Sequence, residues 1–357
     1  MFKILDLYIG RAIIATTMLC LSMLVGLSAI IKFVEQLDSV GEGLFTTTTA
    51  LQYVLLSIPR DIEVFFPMAV LLGALIALGS LASNSELVVM QAAGFSKLNI
   101  GVSVLKTAVP LMLVILALGQ WGAPDAQKAA RELRAFAKSG GNVVTVRRGI
   151  WAKDGNDFIY IAQSDHQSSL IGINIWRFDD KQNLTAQVHA KHGEFLSKDS
   201  WKLKDVTISI FANPSTITEE TMPEFIWNTS LTPEKLALVT VKPEELSLSG
   251  VYEYVTYLKI SQQDATRYEL ALWRKILQPL SIGVMMLLAL SFVFGPLRSV
   301  TMGARVLSGV IFGFVFYISN EVFGPMILVY NLPPFVGAVA PSLAFIGVTL
   351  YLLNRKL

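Results

Sequence analysis

The sequence predicts a membrane α-helical protein with six transmembrane helices and an all-β domain inserted between the third helix and the fourth. Long uncharged stretches occur in two groups of three: they occupy residues 13–31, 64–82 and 107–123, and begin again at residues 276, 306 and 335. About 20 apolar residues form a helix that crosses ~30 Å of hydrocarbon, so each stretch can span a bilayer. The sequence between the two groups has ordinary polarity, which indicates a domain outside the membrane. We therefore expect three regions, at residues 1–124, 125–265 and 266–357.

The composition supports a membrane protein. Apolar residues make up 53% of the 357 residues and charged residues only 16%, whereas a soluble domain carries about 25% charged residues. The net charge of +2 gives no indication of a nucleic-acid partner. The one cysteine, Cys20, lies inside the first stretch, so no disulfide framework is expected. The first stretch is too long for a signal peptide and is interpreted as a retained signal anchor.

Basic residues in the short loops and tails predict the orientation of the spans. Six spans place both termini on one side, and short cytoplasmic loops are rich in lysine and arginine. One set of loops and tails holds most of these residues, namely Lys3, Arg11, Lys97, Arg298, Arg305, Arg355 and Lys356. Both termini are therefore predicted to be cytoplasmic and the insert to be exported. No charged residue lies at the centre of a span, which argues against an ion-coupled carrier.

Within the insert, helical periodicity gives way to the alternation that is typical of strands. Phe158, Tyr160 and Ala162 alternate with polar or exposed positions, as do Ile171, Ile173 and Ile175, so these residues are expected to face inward. Further candidate strands lie at residues 183–195, 201–211 and 219–227. Short strands at this spacing predict a β-sandwich, a jelly roll or a related all-β fold. Two helical connectors, at residues 124–138 and 252–275, are expected to join this domain to the membrane.

The first connector carries a basic stripe just outside the predicted membrane. Its members fall within about a third of the helix circumference: Lys128, Arg131, Arg134 and Lys138. A solvated helix face is one interpretation, and a contact surface for the phosphate groups of a lipid headgroup is the other. Lys32, Arg274 and Lys275, at the outer ends of spans one and four, admit a similar choice between snorkelling anchors and lipid contacts.

Enzyme motifs are absent from the sequence. It lacks the P-loop pattern G-x-x-x-x-G-K-[ST], so it cannot hydrolyse ATP by that route, and it also lacks the G-x-S-x-G and H-E-x-x-H motifs. The three histidines are His166, His189 and His192, and the odd spacing of the last two places them on opposite faces of a strand. We expect no catalytic residue, metal or cofactor in this chain.

The segment after span two predicts a short helix at the cytoplasmic face. Ser83 or Ser85 is expected to cap this helix, and Gly94 is expected to end it.

Span five carries a G-x-x-x-G pair, Gly309 and Gly313, which permits close helix approach either for plain packing or for a sliding seam.

Glu86 lies in the first turn of this short helix and admits two interpretations. It can serve only to complement the helix dipole. Alternatively, the helix inserts into a groove of a soluble partner, with Val88 and Met90 as apolar anchors. A chain that lacks an ATPase but has a docking helix is typical of a permease subunit driven by a separate motor.

Several segments resemble one protein family along the whole chain. They are SELVVMQAAGFS after span two, LGQWGAP closing span three, FGPLRSVTMG after span four, and DLYIGR with IIKFVEQLD near the start. These segments and the three–insert–three layout are similar to the YjgP/YjgQ family of lipopolysaccharide export permeases.

The resemblance implies a bacterial inner-membrane complex that takes lipopolysaccharide from the membrane and passes it to a periplasmic bridge. It implies an LptF-like paralogous permease, an LptB-like ATPase dimer that holds ATP and Mg²⁺, and an LptC-like single-span protein as partners. The insert would be a periplasmic jelly roll. The family's coupling helix corresponds to residues 83–94, with its acidic residue at Glu86, and its lipid-facing basic residues correspond to Lys32 and Arg134. Relatives often carry further lysines after Lys32, where this chain has Asp38 and Ser39.

The resulting hypothesis is a lipid pump in which spans one, two, four and five enclose an apolar cavity together with the paralogue. A membrane-anchored scaffold that moves nothing is one alternative. A lipoprotein-type ABC permease subunit is another, and an intramembrane enzyme is a third that the missing catalytic motifs disfavour.

Overall fold

The fold was obtained as a computed structural model, which describes residues 4–140, 149–165, 169–197, 200–213, 216–229, 231–233, 236, 242–294 and 300–354. Some residues named above lie outside the described residues: Lys3, His166, Arg298, Arg355 and Lys356.

Among the described residues, six helical segments are long and apolar enough to cross a membrane, which confirms the predicted spans. The described helices are α1 (Ile4–Leu37), α2 (Thr47–Ser83), α3 (Glu86–Ala92), α4 (Lys97–Ala117), α5 (Ala123–Lys138), α6 (Leu248–Ile260), α7 (Thr266–Phe294), α8 (Met302–Val329) and α9 (Pro334–Asn354). A π-helical turn, Leu118–Gly122, joins α4 to α5, so Lys97–Lys138 forms one continuous helical rod.

Helix α2 lies at the centre of the membrane bundle. It packs against α1, α7 and α8, while α4 packs against α1 and α7, and α9 packs against α7 and α8. Leu71, Leu75 and Leu78 of α2 are fully buried. By contrast, α1 and α8 are the least buried of the six spans. The bundle therefore has a buried apolar centre, and two of its helices, α1 and α8, present apolar surface outward.

Gly309 and Gly313 lie where α8 meets α2. A Cβ atom on Gly309 would lie 2.7 Å from Leu75 Cδ1, and one on Gly313 would lie 2.7 Å from Met68 Cγ. The two glycines thus allow the helices to approach, which is the packing role that small residues play between helices in lipid.

Helix α2 is much longer than the bilayer requires. At 1.5 Å per residue its 37 residues span about 55 Å, against ~30 Å of hydrocarbon. Its uncharged stretch begins at residue 64, so the part from Thr47 to Arg60 extends beyond the hydrocarbon. Helix α5 packs along α2, and this pair of helices positions the basic stripe. We call the end of the bundle nearer the β domain the outer end, and the opposite end the inner end.

The insert is an antiparallel all-β domain, as predicted. Its strands are β1 (Ile150–Asp154), β2 (Asp157–Asp165), β3 (Ser169–Phe178), β4 (Leu184–Ser197), β5 (Ser200–Asn213) and β6 (Thr216–Asn228). The described strands form a single six-stranded sheet in chain order, a meander that is simpler than a jelly roll of two facing sheets.

One face of the sheet is buried, but the side chains on that face are not all the ones that the sequence suggested. Ile159 and Ile161 are fully buried, whereas Phe158 is 43% exposed and Tyr160 lies with Trp151 on the opposite face, their ring centroids 5.0 Å apart. The expectation that Phe158, Tyr160 and Ala162 form the inward set is therefore wrong. Ile173 and Ile175 are buried as expected, but Ile171 is exposed. Gly172, which lies between Ile171 and Ile173, has φ +66°, and this backbone conformation turns Ile171 to the other face.

Helix α6 helps to cover the buried face. Val251, Tyr254 and Leu258 share a buried cluster with the sheet, and the Tyr257 hydroxyl donates to the Lys153 carbonyl at 3.1 Å. Burial raises the pKa of Tyr257, so this phenol stays protonated and can donate.

Of the two predicted connectors, α5 confirms the first. The second, predicted at residues 252–275, is wrong as a single helix. Helix α6 ends at Ile260, and α7 begins at Thr266, where the Thr266 N–H donates to Asp264 Oδ1 at 2.9 Å. This carboxylate satisfies a first-turn N–H, so a new helix starts instead of the old one continuing.

Candidate functional site: an inner short helix and an outer basic rim

Helix α3 is a short helix that closely follows α2, with one face exposed and the other buried. It ends as predicted, because Gly94 has φ +93° and the Phe95 N–H donates to the Met90 carbonyl at 3.0 Å. The predicted serine cap is wrong. Ser85 precedes the helix with φ 62° and makes no side-chain cap, while the Ser83 hydroxyl donates to the Ser80 carbonyl at 2.9 Å within α2.

The two faces of α3 have different partners. Leu87 and Met90 are buried in the core of the membrane helices, so Met90 is not available as the anchor that the sequence suggested. Val88 and Val89 are 55% and 66% exposed, and Leu98 at the start of α4 is 81% exposed. We call Val88, Val89 and Leu98 the apolar surface at α3. The sequence analysis named neither Val89 nor Leu98 as an apolar anchor.

Glu86 is held by the first span. The Tyr8 hydroxyl of α1 donates to Glu86 Oε2 at 2.7 Å. Because Glu86 opens α3, its carboxylate also lies at the positive end of the helix dipole. The carboxylate is therefore oriented beside the apolar surface at α3.

At the outer side, Lys32 is paired within the chain. Its Nζ lies 2.5 Å from Asp61 Oδ1, and the Ser28 hydroxyl donates to Asp61 Oδ2 at 3.0 Å. Asp61 is buried, and the Lys32 side chain is 30% exposed. The pair joins α1 to α2, so Lys32 is neutralised rather than free. Sequence reasoning overlooked Asp61 because the carboxylate lies on a different helix.

The basic stripe on α5 also engages its own chain. Arg131 Nη1 lies 2.6 Å from Glu245 Oε2, and Lys138 Nζ lies 2.8 Å from Glu42 Oε2. Both residues therefore make ion pairs within the chain, while their side chains stay 34% and 31% exposed. Lys128, by contrast, is exposed.

Arg134 differs from the other members of the stripe. Its guanidinium lies over the Tyr53 ring of α2, 5.5 Å from the centroid. Its Nε is buried and has no hydrogen-bond partner among the residues that the structure describes. Tyr53 precedes Asp61 by eight residues on α2, or about 12 Å along the helix axis. Arg134 and Lys32 thus contact the same outer stretch of α2. We call Lys32, Lys128, Arg131, Arg134 and Lys138 the outer rim.

A second ionic cluster lies beside the rim at the outer ends of α2 and α7. Glu63 Oε2 lies 2.6 Å from Arg60 Nη1, and Glu63 Oε1 lies 3.2 Å from Lys275 Nζ. Lys275 is buried, which excludes the snorkelling interpretation for this residue. Arg274 donates through Nη2 to the Asn320 carbonyl of α8. The cluster therefore connects α2, α7 and α8.

Metal-binding geometry is absent from the described part of the chain, where no group of three His, Cys, Asp or Glu side chains is placed to hold an ion. His189 Nδ1 lies 2.9 Å from Asn174 Oδ1 of the neighbouring strand, so this ring has a partner within the sheet.

Comparison with known proteins identifies one family along almost the whole chain. The model of the family described as lipopolysaccharide export system permease LptF/LptG matches residues 7–355. The chain is 50% identical over 356 residues to the lipopolysaccharide export system permease protein LptG of Escherichia coli (strain K12), which covers 99% of each protein. It is 48% identical over 357 residues to the LptG protein of Haemophilus influenzae, which covers 100% of this chain and 99% of the relative. Similarity to LptF of E. coli K12 is weaker, at 26% over 136 residues, 38% of this chain and 37% of the relative.

Proposed function

This chain belongs to the LptF/LptG family and is a permease subunit of the lipopolysaccharide export system, and we propose that it extracts lipopolysaccharide from the inner membrane with ATP hydrolysed by a separate subunit. In this proposal both termini are cytoplasmic, the β domain is periplasmic, and the lipid passes onward to a periplasmic bridge. ATP and Mg²⁺ bind to the partner ATPase.

One observation carries the mechanism: α2 joins the two parts of the site without interruption. Its outer half bears Tyr53, which lies under Arg134, and Asp61, which pairs with Lys32. Its inner end leads through Asn84 and Ser85 into α3. Because a helix resists changes in length, a displacement of α3 moves the outer half of α2 as well. A push at the cytoplasmic face therefore reaches the rim.

The motor would dock on α3. Its exposed apolar surface, Val88, Val89 and Leu98, is suited to a groove on a soluble protein, and Glu86 offers a charge beside it. An LptB-like ATPase dimer fits this role, with one copy on this chain and one on the paralogue.

The paralogue would cover the exposed spans. Helices α1 and α8 present apolar surface outward, including Leu19, Met23, Phe314 and Val315. An LptF-like permease that packs beside them would enclose a cavity between the two subunits, and an LptC-like single-span protein would lie next to α1.

The lipid phosphates would meet the rim. Arg134 offers a buried Nε–H that has no partner in the described part of the chain, and charge-assisted hydrogen bonds to phosphate are among the strong ones. Lys128 is exposed. Lys32 and Arg131 would contribute after exchanging Asp61 and Glu245 for phosphate. Acyl chains would occupy the cavity below.

A reconstituted complex tests this proposal. Glu86→Ala should lower lipopolysaccharide release per ATP hydrolysed, or should lose the ATPase during purification. Gln91→Ala is the matched control, since Gln91 is exposed on the same helix and should behave as wild type. Normal copurification together with normal release in Glu86→Ala would refute the role of Glu86.

The same assay separates the alternatives. A scaffold predicts no ATP-dependent release of lipopolysaccharide, and a lipoprotein-type permease predicts release of lipoprotein instead.

A further inference from the structure

A cavity of about 670 Å³ opens between the outer ends of α4 and α7, beneath the start of α6. Its volume lies within the range of small-molecule sites, about 300–1,000 Å³. The walls are mainly apolar, with contributions from Leu113, Leu116, Trp121, Tyr252, Leu272 and Ile276. This cavity is distinct from the outer rim, because none of the rim residues lines it.

The mouth of the cavity lies at the edge of the membrane. Trp121 and Tyr252 flank it and are 68% and 63% exposed. Rings of this kind settle at the boundary between hydrocarbon and water. Leu113 and Leu116 belong to the apolar part of α4, which lies deeper in the bilayer. The cavity therefore opens toward the hydrocarbon of the outer leaflet. It lies on the α4–α7 side of the bundle and not on the outward faces of α1 and α8.

The polar groups of the cavity already have partners. Lys275 Nζ and Glu63 Oε1 lie 3.2 Å apart at its inner end, with side chains only 10% and 4% exposed. Gln120 accepts from the Leu248 N–H at 3.1 Å and donates to Ser249 Oγ at 2.9 Å. The lining thus carries one positive and one negative charge that neutralise each other. Such a site has no spare charge for an anionic headgroup but has apolar walls for a hydrocarbon chain.

The π-helical turn shapes the inner end. A Cβ atom on Gly119 would lie 3.1 Å from Glu63 Oε1, so glycine at this position lets the turn approach the ion pair. π-Helical turns inside α-helices frequently mark functional sites. Here the turn places Gln120 against α6 and Trp121 at the mouth.

We propose that this cavity binds one acyl chain of an outer-leaflet phospholipid, at a site separate from the path of the transported lipopolysaccharide. An empty cavity of this size forfeits dispersion contacts along its walls, and water finds few polar partners in it. Hydrocarbon from the bilayer satisfies the walls at no cost in hydrogen bonds. The bound chain covers the Lys275–Glu63 pair and packs between the base of α6, which supports the β domain, and spans three and four.

Photolabelling of the intact complex tests the proposal. The complex is reconstituted in nanodiscs of phosphatidylethanolamine, a fraction of which carries a diazirine on an acyl chain, and the adducts are mapped by mass spectrometry. We expect labelling at residues 113–121 and 272–276 that saturates with probe and is displaced by unlabelled lipid. Labelling of the exposed side of α9, around Leu343, should instead rise in proportion to probe. Proportional labelling at both places would overturn the proposal without any variant.

Two phenylalanine variants sharpen the result. Ala117 lines the cavity and is exposed, so Ala117→Phe should fill it and abolish the saturable adducts. Val114→Phe is the control, because Val114 is exposed on the same helix but does not line the cavity, and its labelling should remain as in wild type. Unchanged adducts in Ala117→Phe would contradict the proposal. So would labelling of the cavity by a diazirine-bearing lipopolysaccharide in place of the phospholipid.

Discussion

The Lys32 ammonium of α1 lies 2.5 Å from a carboxylate oxygen of Asp61 on α2. The pair fastens the outer ends of the first two spans, and Ser28 supplies a further hydrogen bond to the same carboxylate. A basic residue that the sequence suggests for lipid phosphate is therefore occupied by an internal partner. Cargo binding at Lys32 requires an exchange of one anion for another.

Breaking this pair should destabilise the chain in a way that a second substitution repairs. Lys32→Met leaves the buried Asp61 carboxylate without its counter-ion. Removal of one partner costs about 3–5 kcal/mol in fully buried pairs, and we expect less here because Lys32 is partly exposed. Lys32→Met with Asp61→Asn should recover most of the loss in thermal unfolding of the purified complex. Equal losses in the single and the double variant would show that the two residues are not coupled.

Arg134→Lys should weaken lipopolysaccharide retention although it conserves the charge. Lysine has no equivalent of the buried Nε–H and cannot form the two-pronged contact with phosphate that arginine forms. We expect a several-fold decrease in the lipopolysaccharide that copurifies from native membranes. Glu253→Gln, a change at an exposed position on α6, serves as the control for handling losses. Retention equal to wild type in Arg134→Lys would exclude a phosphate contact through Nε.

Tyr8→Phe should reduce coupling between ATP hydrolysis and lipid release. The phenol holds the Glu86 carboxylate at 2.7 Å, and without this hydrogen bond the carboxylate loses the contact that orients it. The ratio of lipid released to ATP hydrolysed should fall while the ATPase still copurifies. If the ratio is unchanged, the Tyr8 contact has no role in orienting Glu86.

Val89→Asp and Met90→Ala should fail in different ways. Val89 is exposed on α3. A charge there should prevent the proposed docking of the ATPase and leave the thermal stability of the chain unchanged. Met90 is buried, and truncation of a buried methionine costs about 2–5 kcal/mol. Pull-down of the ATPase and thermal unfolding, measured on both variants, separate the two effects. Loss of docking at unchanged stability in Met90→Ala would restore Met90 as an anchor.

Gly309→Leu should disrupt the contact between α8 and α2. Even a Cβ atom at this position would lie 2.7 Å from Leu75 Cδ1, and overpacking typically costs about 1–3 kcal/mol. Gly347→Leu is the matched control on α9, since a Cβ there meets no atom within 4 Å. Thermal unfolding in detergent should fall for the first variant only.

The spans could be located from hydropathy because the apolar length that crosses a bilayer is a local property of the chain. Their full extent could not. Helix α2 begins at Thr47, well before the uncharged stretch at residue 64, since its outer half is stabilised by packing against α5 rather than by lipid. The short helix after span two was predictable from its glycine stop. Its exposed face was assigned incorrectly, because the burial of Met90 depends on neighbouring spans.

Strand positions were also predictable, but the side chains that face inward were not. Along β3 the buried residues are Leu170, Ile173 and Ile175, so the alternation shifts by one residue at Gly172. Asp205 in β5, with φ 52°, lies between the buried Leu203 and Val206 and produces the same shift. Strict period-two alternation cannot anticipate such a change, because it depends on the backbone conformation of individual residues.

Sequence alone established the six spans, the inserted β domain, the short helix after span two and the family, all of which depend on residues close together in the chain or on whole-chain similarity. The tertiary structure decided which charged side chains form ion pairs. Lys32 meets Asp61, Arg131 meets Glu245, and Lys275 meets Glu63, and each pair joins residues from different elements. An ion pair requires proximity in space, and the folding of distant segments brings these carboxylates next to their basic partners at the outer ends of the membrane helices.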